Sequence, residues 1–353
     1  MYRRRVPVSG NGHKAHSERW KGKSIQLRVL VAYILFIVCF WTAKLTFMGL
    51  STSSKEIFLQ TKIMDVVGVA YKPTCVTKKS ISGLNTHLNP RHINVITTSQ
   101  SKCETFKAMA PNVRCYYDGD VVPNVTKESV DAFLGETYGE TYANVVLKSG
   151  KEIAGWYLQQ MIKLGVSRYI DDLTENFLIW DLDMMPMRHL EPFTNSNPPK
   201  ANVNIGGKTH IHRGYEISYE NLTNQRLETA PDGSSFVTHS LSVNKRRMEE
   251  FVQYLEKGER DSWPWRILRS VDPNYIEYGF SEYASYVSWM KQNHPSEIHI
   301  KDQRTWSRYP FSFLPSYVPS SWGVATQMLF TRDHLCCPTD ALLTLLKPLG
   351  YEF

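Results

Sequence analysis

The stretch ENFLIWDLDMMPMR, residues 175–188, sets a continuous apolar run, Phe177 to Trp180, directly against two aspartates one residue apart, Asp181 and Asp183. Such a short run ending in polar side chains reads as a strand buried on both faces, as inside parallel sheets. Apolar residues resume at once with Met184, Met185 and Pro186. A carboxylate pair flanked on both sides by buried-type residues needs a partner, because desolvating an unpaired charge is costly. Side chains at i and i+2 of extended backbone point to the same side. The pair could then hold a hard divalent cation, Mn²⁺ or Mg²⁺, whose shell is completed by water and phosphate oxygens. The plain alternative is a polar loop closing a buried strand. The same spacing recurs at Asp118 and Asp120 in CYYDGDVV, where Asp-Gly-Asp is itself turn chemistry. The signal is therefore the strand end, not the spacing.

Working outward, INVITTSQ (93–100) reads as a buried first strand and NVRCYYDGD (112–120) as a second strand with a turn. KEIAGWYLQQMIKLG (151–165) has helical spacing, with Leu158, Met161 and Ile162 on one face and Gly165 as its stop. SVNKRRMEEFVQYLEKG (242–258) puts Met248, Phe251, Val252 and Leu255 on one face and charges on the other. FSEYASYVSWM (280–290) repeats the pattern with Tyr283, Tyr286, Val287 and Met290, and Ser281 is placed to cap it. Strands alternating with helices give an α/β class, a mainly parallel sheet flanked by helices. Ligands of such sheets sit at the carboxyl ends of the strands, which is where Asp181 and Asp183 fall.

The formal charge of +7 is confined to one end. Residues 1–28 hold eight Lys/Arg against one acid, Glu18; removing them from the chain's 41 basic and 34 acidic residues leaves 33 of each. A basic face on the fold is not indicated, so no nucleic-acid partner is expected. Residues 29–50 form an apolar stretch interrupted only by Lys44, long enough to cross a bilayer, with a lysine that can snorkel. No small-residue cleavage site stands at a suitable distance, which favours a retained anchor over a removed signal. The organisation expected is a cytosolic basic tail (1–28), one transmembrane signal-anchor (29–50), a Ser/Thr/Lys-rich stem (51–90) and a catalytic domain (91–353) across the membrane. Asn124 and Asn221 head glycosylation triplets that become usable in a lumen. Five cysteines follow the anchor, an odd number, and Cys103 with Cys115 is the preferred bridge.

The order AGWYLQQMIKL, FLIWDLDMMPMR, FVTHSLSVNKRRMEEFVQYLE, WPWRIL and GFSEYASY resembles a poorly characterised family of glycosyltransferase-like domains of the GT-A fold, over roughly residues 91–305. That resemblance implies a metal-dependent transferase with a nucleotide-sugar donor and a lumenal glycan or glycoprotein acceptor, anchored as a single-pass type II protein of the Golgi membrane. It implies Asp181 and Asp183 at a metal-diphosphate site, Asp183 as the direct ligand and Asp181 nearer the ribose. It draws attention to Trp156, Gln159 and Gln160 as substrate contacts, to His239 as a third metal ligand, and to Glu282, beside Ser281 and Tyr283, as the base of an inverting transfer.

Each residue also has a structural reading. Trp156 suits a core position, and of the adjacent Gln159 and Gln160 at most one faces the core, where it needs partners. His239 fits a satisfied core histidine, and Glu282 fits the first turn of a capped helix. Two other functions stand beside the transferase: a catalytically silent sugar-binding or scaffolding membrane protein, and a metal-dependent phosphoester hydrolase. The hydrolase would call for further carboxylate and histidine clusters.

Overall fold

Five strands in the order β3-β2-β1-β4-β7 make the central sheet: β1 (Asp65–Val69), β2 (Ile93–Thr97), β3 (Val113–Tyr117), β4 (Asn176–Trp180) and β7 (Ser240–Asn244). The structure is a computed structural model; it describes residues 64–206, 211–260, 262–302, 306–307 and 330–332. The expected basic tail and membrane anchor lie outside them, and among the described residues no helix is long and apolar enough to cross a membrane. Strands β1 to β4 run parallel, with Val67 opposite both Asn94 and Ile179, and β7 closes the edge antiparallel to β4. Strand β5 (Met184–Pro186) belongs to a small second sheet with β9 (Trp306–Ser307) and β10 (Phe330–Arg332); β6 (Ala201–Val203) pairs with β8 (Ile298–Ile300).

Helices fill the crossovers. They are α1 (Cys75–His87), α2 (Gln100–Lys107), α3 (Lys127–Ser149), α4 (Ile153–Tyr169), α5 (Arg213–Thr223), α6 (Lys245–Glu256), α7 (Trp263–Ser270) and α8 (Glu282–Asn293). Alternate residues of each strand feed two cores. Val66, Val95, Leu178 and Trp180 pack with Ile81 and Leu84 of α1 and Phe106 of α2. Val67, Ile96, Phe177 and Ile179 pack on the other face with Leu158, Met161 and Ile162 of α4 and Met248, Phe251 and Val252 of α6. The heptad-like face of α6 and the four apolar positions expected on α8 are all buried, and the Ser281 hydroxyl accepts from the Ala284 N–H.

Three expectations are corrected. The fold starts earlier than residue 91: Asp65–Val69, inside the expected stem, is the middle strand of the sheet, so Ile93–Thr97 is the second strand. Its five residues are too few to show a period, and their Ser/Thr/Lys-rich surroundings hid them. Gly165 does not stop α4, which runs on to Tyr169. A Cβ there would lie 2.8 Å from Val122 Cγ2, so this glycine serves a close approach within the helix rather than its end. The Asp-Gly-Asp stretch is a helical turn, Asp118–Val121, not a glycine-driven turn.

At the amino ends of the strands, Asp65 ties three of them together. Its carboxylate accepts from Arg91 Nε (3.0 Å) and Nη2 (2.6 Å), from the His92 N–H and from the Thr174 N–H. The opposite edge is thereby left for ligands.

Candidate functional site

The chain goes from β1 outward to β2 and β3, then returns to place β4 on the other flank of β1. Crossovers diverge there, and the carboxyl ends of β1 and β4 bound a crevice at this switch point. The first residues past these ends are Ala70 and Tyr71 on one side and Asp181 to Asp183 on the other. Because β7 is antiparallel, its entry residue His239 comes to the same edge, as does the start of α4.

On the β4 side lies a buried polar cluster. Asp181 Oδ1 accepts from Lys163 Nζ at 2.5 Å and from the Tyr283 hydroxyl at 2.8 Å, while Oδ2 is 2.8 Å from His239 Nδ1. Lys163 also donates to Glu282 Oε1 at 2.9 Å and to the Tyr283 oxygen at 3.2 Å. Gln160 Oε1 accepts from the Glu282 N–H at 3.0 Å. Burial works against every charge here, yet the opposite charges prevail. The Asp181 and Glu282 carboxylates hold Lys163 above the usual lysine range, and the Lys163 ammonium with the His239 bond holds Asp181 well below the usual carboxylate range. Burial, followed by the charges of Asp181 and Glu282, pushes the Tyr283 hydroxyl up.

The local backbone explains the arrangement. The Met184 N–H donates to the Asp181 carbonyl, so Asp-Leu-Asp is a tight turn rather than extended chain. Both aspartates are partly buried in this turn, with Leu182 buried between them. His239 takes a left-handed backbone, φ +63°, a region in which histidine, like asparagine and aspartate, is enriched among non-glycine residues. It is held there by a double link to Asp181, whose N–H donates to the His239 carbonyl and whose carboxylate meets the ring.

The sequence-derived site is thus assembled in part. Asp181, His239, Gln160, Glu282 and Tyr283 meet in one cluster. Trp156 stands apart from it, half-buried, with ring contacts to Tyr157 at 4.9 Å and Tyr278 at 6.0 Å, and Gln159 is half-buried beside it. Asn124 is exposed, while the Asn221 amide donates to the Ser270 carbonyl at 2.9 Å. Cys103 and Cys115 are disulfide-bonded with their Cα atoms 5.3 Å apart, and Cys75 is disulfide-bonded too.

Of the expected Asp181–Asp183–His239 metal set, Asp181 already accepts two hydrogen bonds on Oδ1 and one on Oδ2, the last involving the His239 Nδ1, so three of its four acceptor positions are taken. Among the described residues no three His, Cys, Asp or Glu side chains form a metal-sized group. Glu282, expected as a base open to an acceptor, is 3% exposed and ion-paired to Lys163. The residue missed by sequence reasoning is Lys163. Its signal was a single charge within the apolar Met161–Val166 stretch of a buried helix, where a lysine without a partner would not be tolerated.

On the β1 side lies a cleft of about 460 Å³ lined by Tyr71, Thr98, Tyr117, Asp118, Thr126, Lys127, Glu128 and Glu152. The Tyr71 hydroxyl donates to the Gly155 carbonyl at 2.6 Å, joining the cleft to α4. Burial, then the charges of Asp118 and Glu152, pushes that hydroxyl to about 12. Asp118 is also raised, chiefly by burial, against a hydrogen bond from the Gly119 N–H. Next to the cleft, the buried Thr97 hydroxyl has no hydrogen-bond partner among the described residues.

A family described only as being of unknown function, DUF6492, matches residues 79–310, more than half of the chain. No curated protein matches. Among solved structures, the chain is similar to mouse xyloside xylosyltransferase 1 in its apo form, at 9% identity with a TM-score of 0.41, over 77% of this chain and 98% of that one. It is similar to the galactosyltransferase LgtC in complex with donor and acceptor sugar analogues, at 11% identity and a TM-score of 0.41, over 82% and 97% of the two chains. The PaToxG glycosyltransferase is more remote, with 12% identity and a TM-score of 0.30 over 66% of this chain and 70% of that one. All three likenesses are distant.

Proposed function

We propose that this chain, which belongs to the DUF6492 family, transfers a sugar from a nucleotide-sugar donor to a glycan or glycoprotein acceptor. One observation carries the reading: the open cleft and the charged cluster lie on the two sides of the switch point, at one edge of a parallel sheet. A nucleoside fits the cleft. Asp118 offers a carboxylate to ribose or base donors, and Tyr71 an aromatic wall. The diphosphate would cross the crevice, leaving the sugar beside Asp181, the partly exposed carboxylate of the cluster.

In this reading Lys163, Gln160, Tyr283 and His239 orient the two carboxylates and exclude water from them. Their geometry is fixed before substrate arrives, the condition for electrostatic catalysis. No step is assigned to a bound metal. The motif order that resembles GT-A transferases supports the same reaction class. The basic tail, the apolar 29–50 stretch, the two glycosylation triplets and the Cys103–Cys115 bridge support a type II protein of a secretory membrane, most simply the Golgi, with this domain lumenal.

The test uses the full chain in detergent with a panel of UDP-, GDP- and CMP-sugars, following release of free sugar. One donor should be consumed slowly, and Asp181→Asn should lower its rate by about 100-fold. Binding of a donor with no turnover under any condition would move the protein to the silent, sugar-binding class. Wild-type turnover in Asp181→Asn would remove the cluster from the reaction.

A further inference from the structure

A buried cation is already built into the carboxylate cluster. The Lys163 ammonium reaches Asp181 Oδ1 (2.5 Å), Glu282 Oε1 (2.9 Å) and the Tyr283 hydroxyl (3.2 Å). An ammonium has three N–H donors, and all three are satisfied. It also lies 4.6 Å from the centroid of the Tyr283 ring, a cation–π contact. The side chain is 4% exposed and its helix neighbours Met161, Ile162, Leu164, Gly165 and Val166 are buried as well, so the ammonium has no open direction on its own helix to withdraw into.

We infer that Lys163 is the resident cation of this site: a positioning residue that stands where the Asp-x-Asp spacing suggests a divalent ion, and that Asp181 is consequently not a metal ligand. The inference rests on the transferase reading only in naming a sugar as what the carboxylates face. Two features carry it. Three of the four acceptor positions of Asp181 are taken, two on Oδ1 and one on Oδ2 toward His239. The surrounding structure keeps Asp181 turned inward, since His239 bonds it through both backbone and ring. A group pinned in this way from three elements (α4, α8 and the entry to β7) is oriented toward Lys163, not toward an exchangeable ion.

The consequence is a donor site whose local positive charge does not depend on metal supply. Lys163 fixes Asp181 and Glu282 at a constant separation. It touches no reacting atom itself.

The experiment uses full-length protein in detergent with Mn²⁺ alone as the probe, reading bound Mn²⁺ by titration calorimetry and thermal unfolding with and without the ion. Asp181→Asn should show the Mn²⁺ affinity of wild type. Lys163→Met leaves two buried carboxylates facing one another without a cation, so its Mn²⁺-dependent rise in Tm should exceed that of wild type. Lys163→Arg, which keeps the charge, should behave as wild type. A folded Lys163→Met with no gained response, or an Asp181→Asn that loses about tenfold or more in Mn²⁺ affinity, as expected for a lost metal partner, would overturn the inference. Should Lys163→Met not fold, the Asp181→Asn titration decides alone. Neither readout uses sugar transfer, so failure of the proposed reaction and failure of this assignment are separable.

Discussion

Single residues at the ligand edge trade stability for function. Asp118 is buried, and its folded-state pKa is raised, so the fold favours the neutral acid. The stabilisation this gives is present below the ordinary carboxylate value of about 3.9 and is lost as pH rises through the raised value; above it, ionised Asp118 costs stability. Asp118→Asn should therefore raise Tm at neutral pH, with the gain disappearing in acid, while weakening nucleotide binding to the cleft. Thermal unfolding across pH together with nucleotide titration checks both halves; a fall in Tm at neutral pH would show that the carboxylate is held by partners rather than strained. Lys163 and Asp181 are the opposite case, two buried charges whose mutual satisfaction outweighs their desolvation. Of this cluster, the residues legible in sequence were those near a pattern break: Asp181 after an apolar strand, Glu282 after a capping serine, His239 before β7. Lys163 was overlooked because a periodic apolar helix draws attention to its faces, not to the exception on one of them.

Elements place these residues through close packing at their ends. In β1, a Cβ on Gly68 would fall 2.6 Å from Leu182 Cγ and 2.9 Å from the Trp180 carbonyl. Gly68→Ala must push on the Asp-Leu-Asp turn, and should cost about 1–3 kcal/mol while lowering donor affinity more than distant substitutions of equal cost. Denaturant unfolding paired with donor titration separates the two effects. At the other end of the same strand, Asp65→Ala leaves the Arg91 guanidinium and the His92 and Thr174 N–H groups without their acceptor. Loss of about 3–5 kcal/mol is expected for breaking a buried pair, seen as a lower urea midpoint at unchanged slope. The periodicity of α6 and α8 was fully readable, because one wall of each helix faces a core and the pattern records it. Strand β1 was not readable: five buried residues carry no alternation, and their neighbours resemble a linker.

At the scale of the molecule, the bridge between Cys103 on α2 and Cys115 on β3 closes a short loop, with the partners 12 residues apart. Replacing both cysteines by serine should lower stability by about 3 kcal/mol on the loop-entropy estimate, measured by chemical denaturation of the otherwise intact chain; an unchanged midpoint would mean that the native packing holds this corner without it. The bridge fastens the outer flank of the sheet, away from the switch point, and so bears on persistence of the fold rather than on the site.

The sequence by itself determined the α/β class, the position of the carboxylate pair at a strand's end, and the identity of most groups around it. These are local facts, written in runs, spacings and caps of fewer than about 20 residues, the range over which periodicity acts. Only the tertiary structure decided what Asp181 is bonded to. Its partners come from α4, the entry to β7 and α8, which lie 18 residues before it and 58 and 102 residues after it. No local pattern encodes which lysine will meet which carboxylate across such separations. That choice is made by how the crossovers pack, and here it joins Asp181 to Lys163 beside an open cleft.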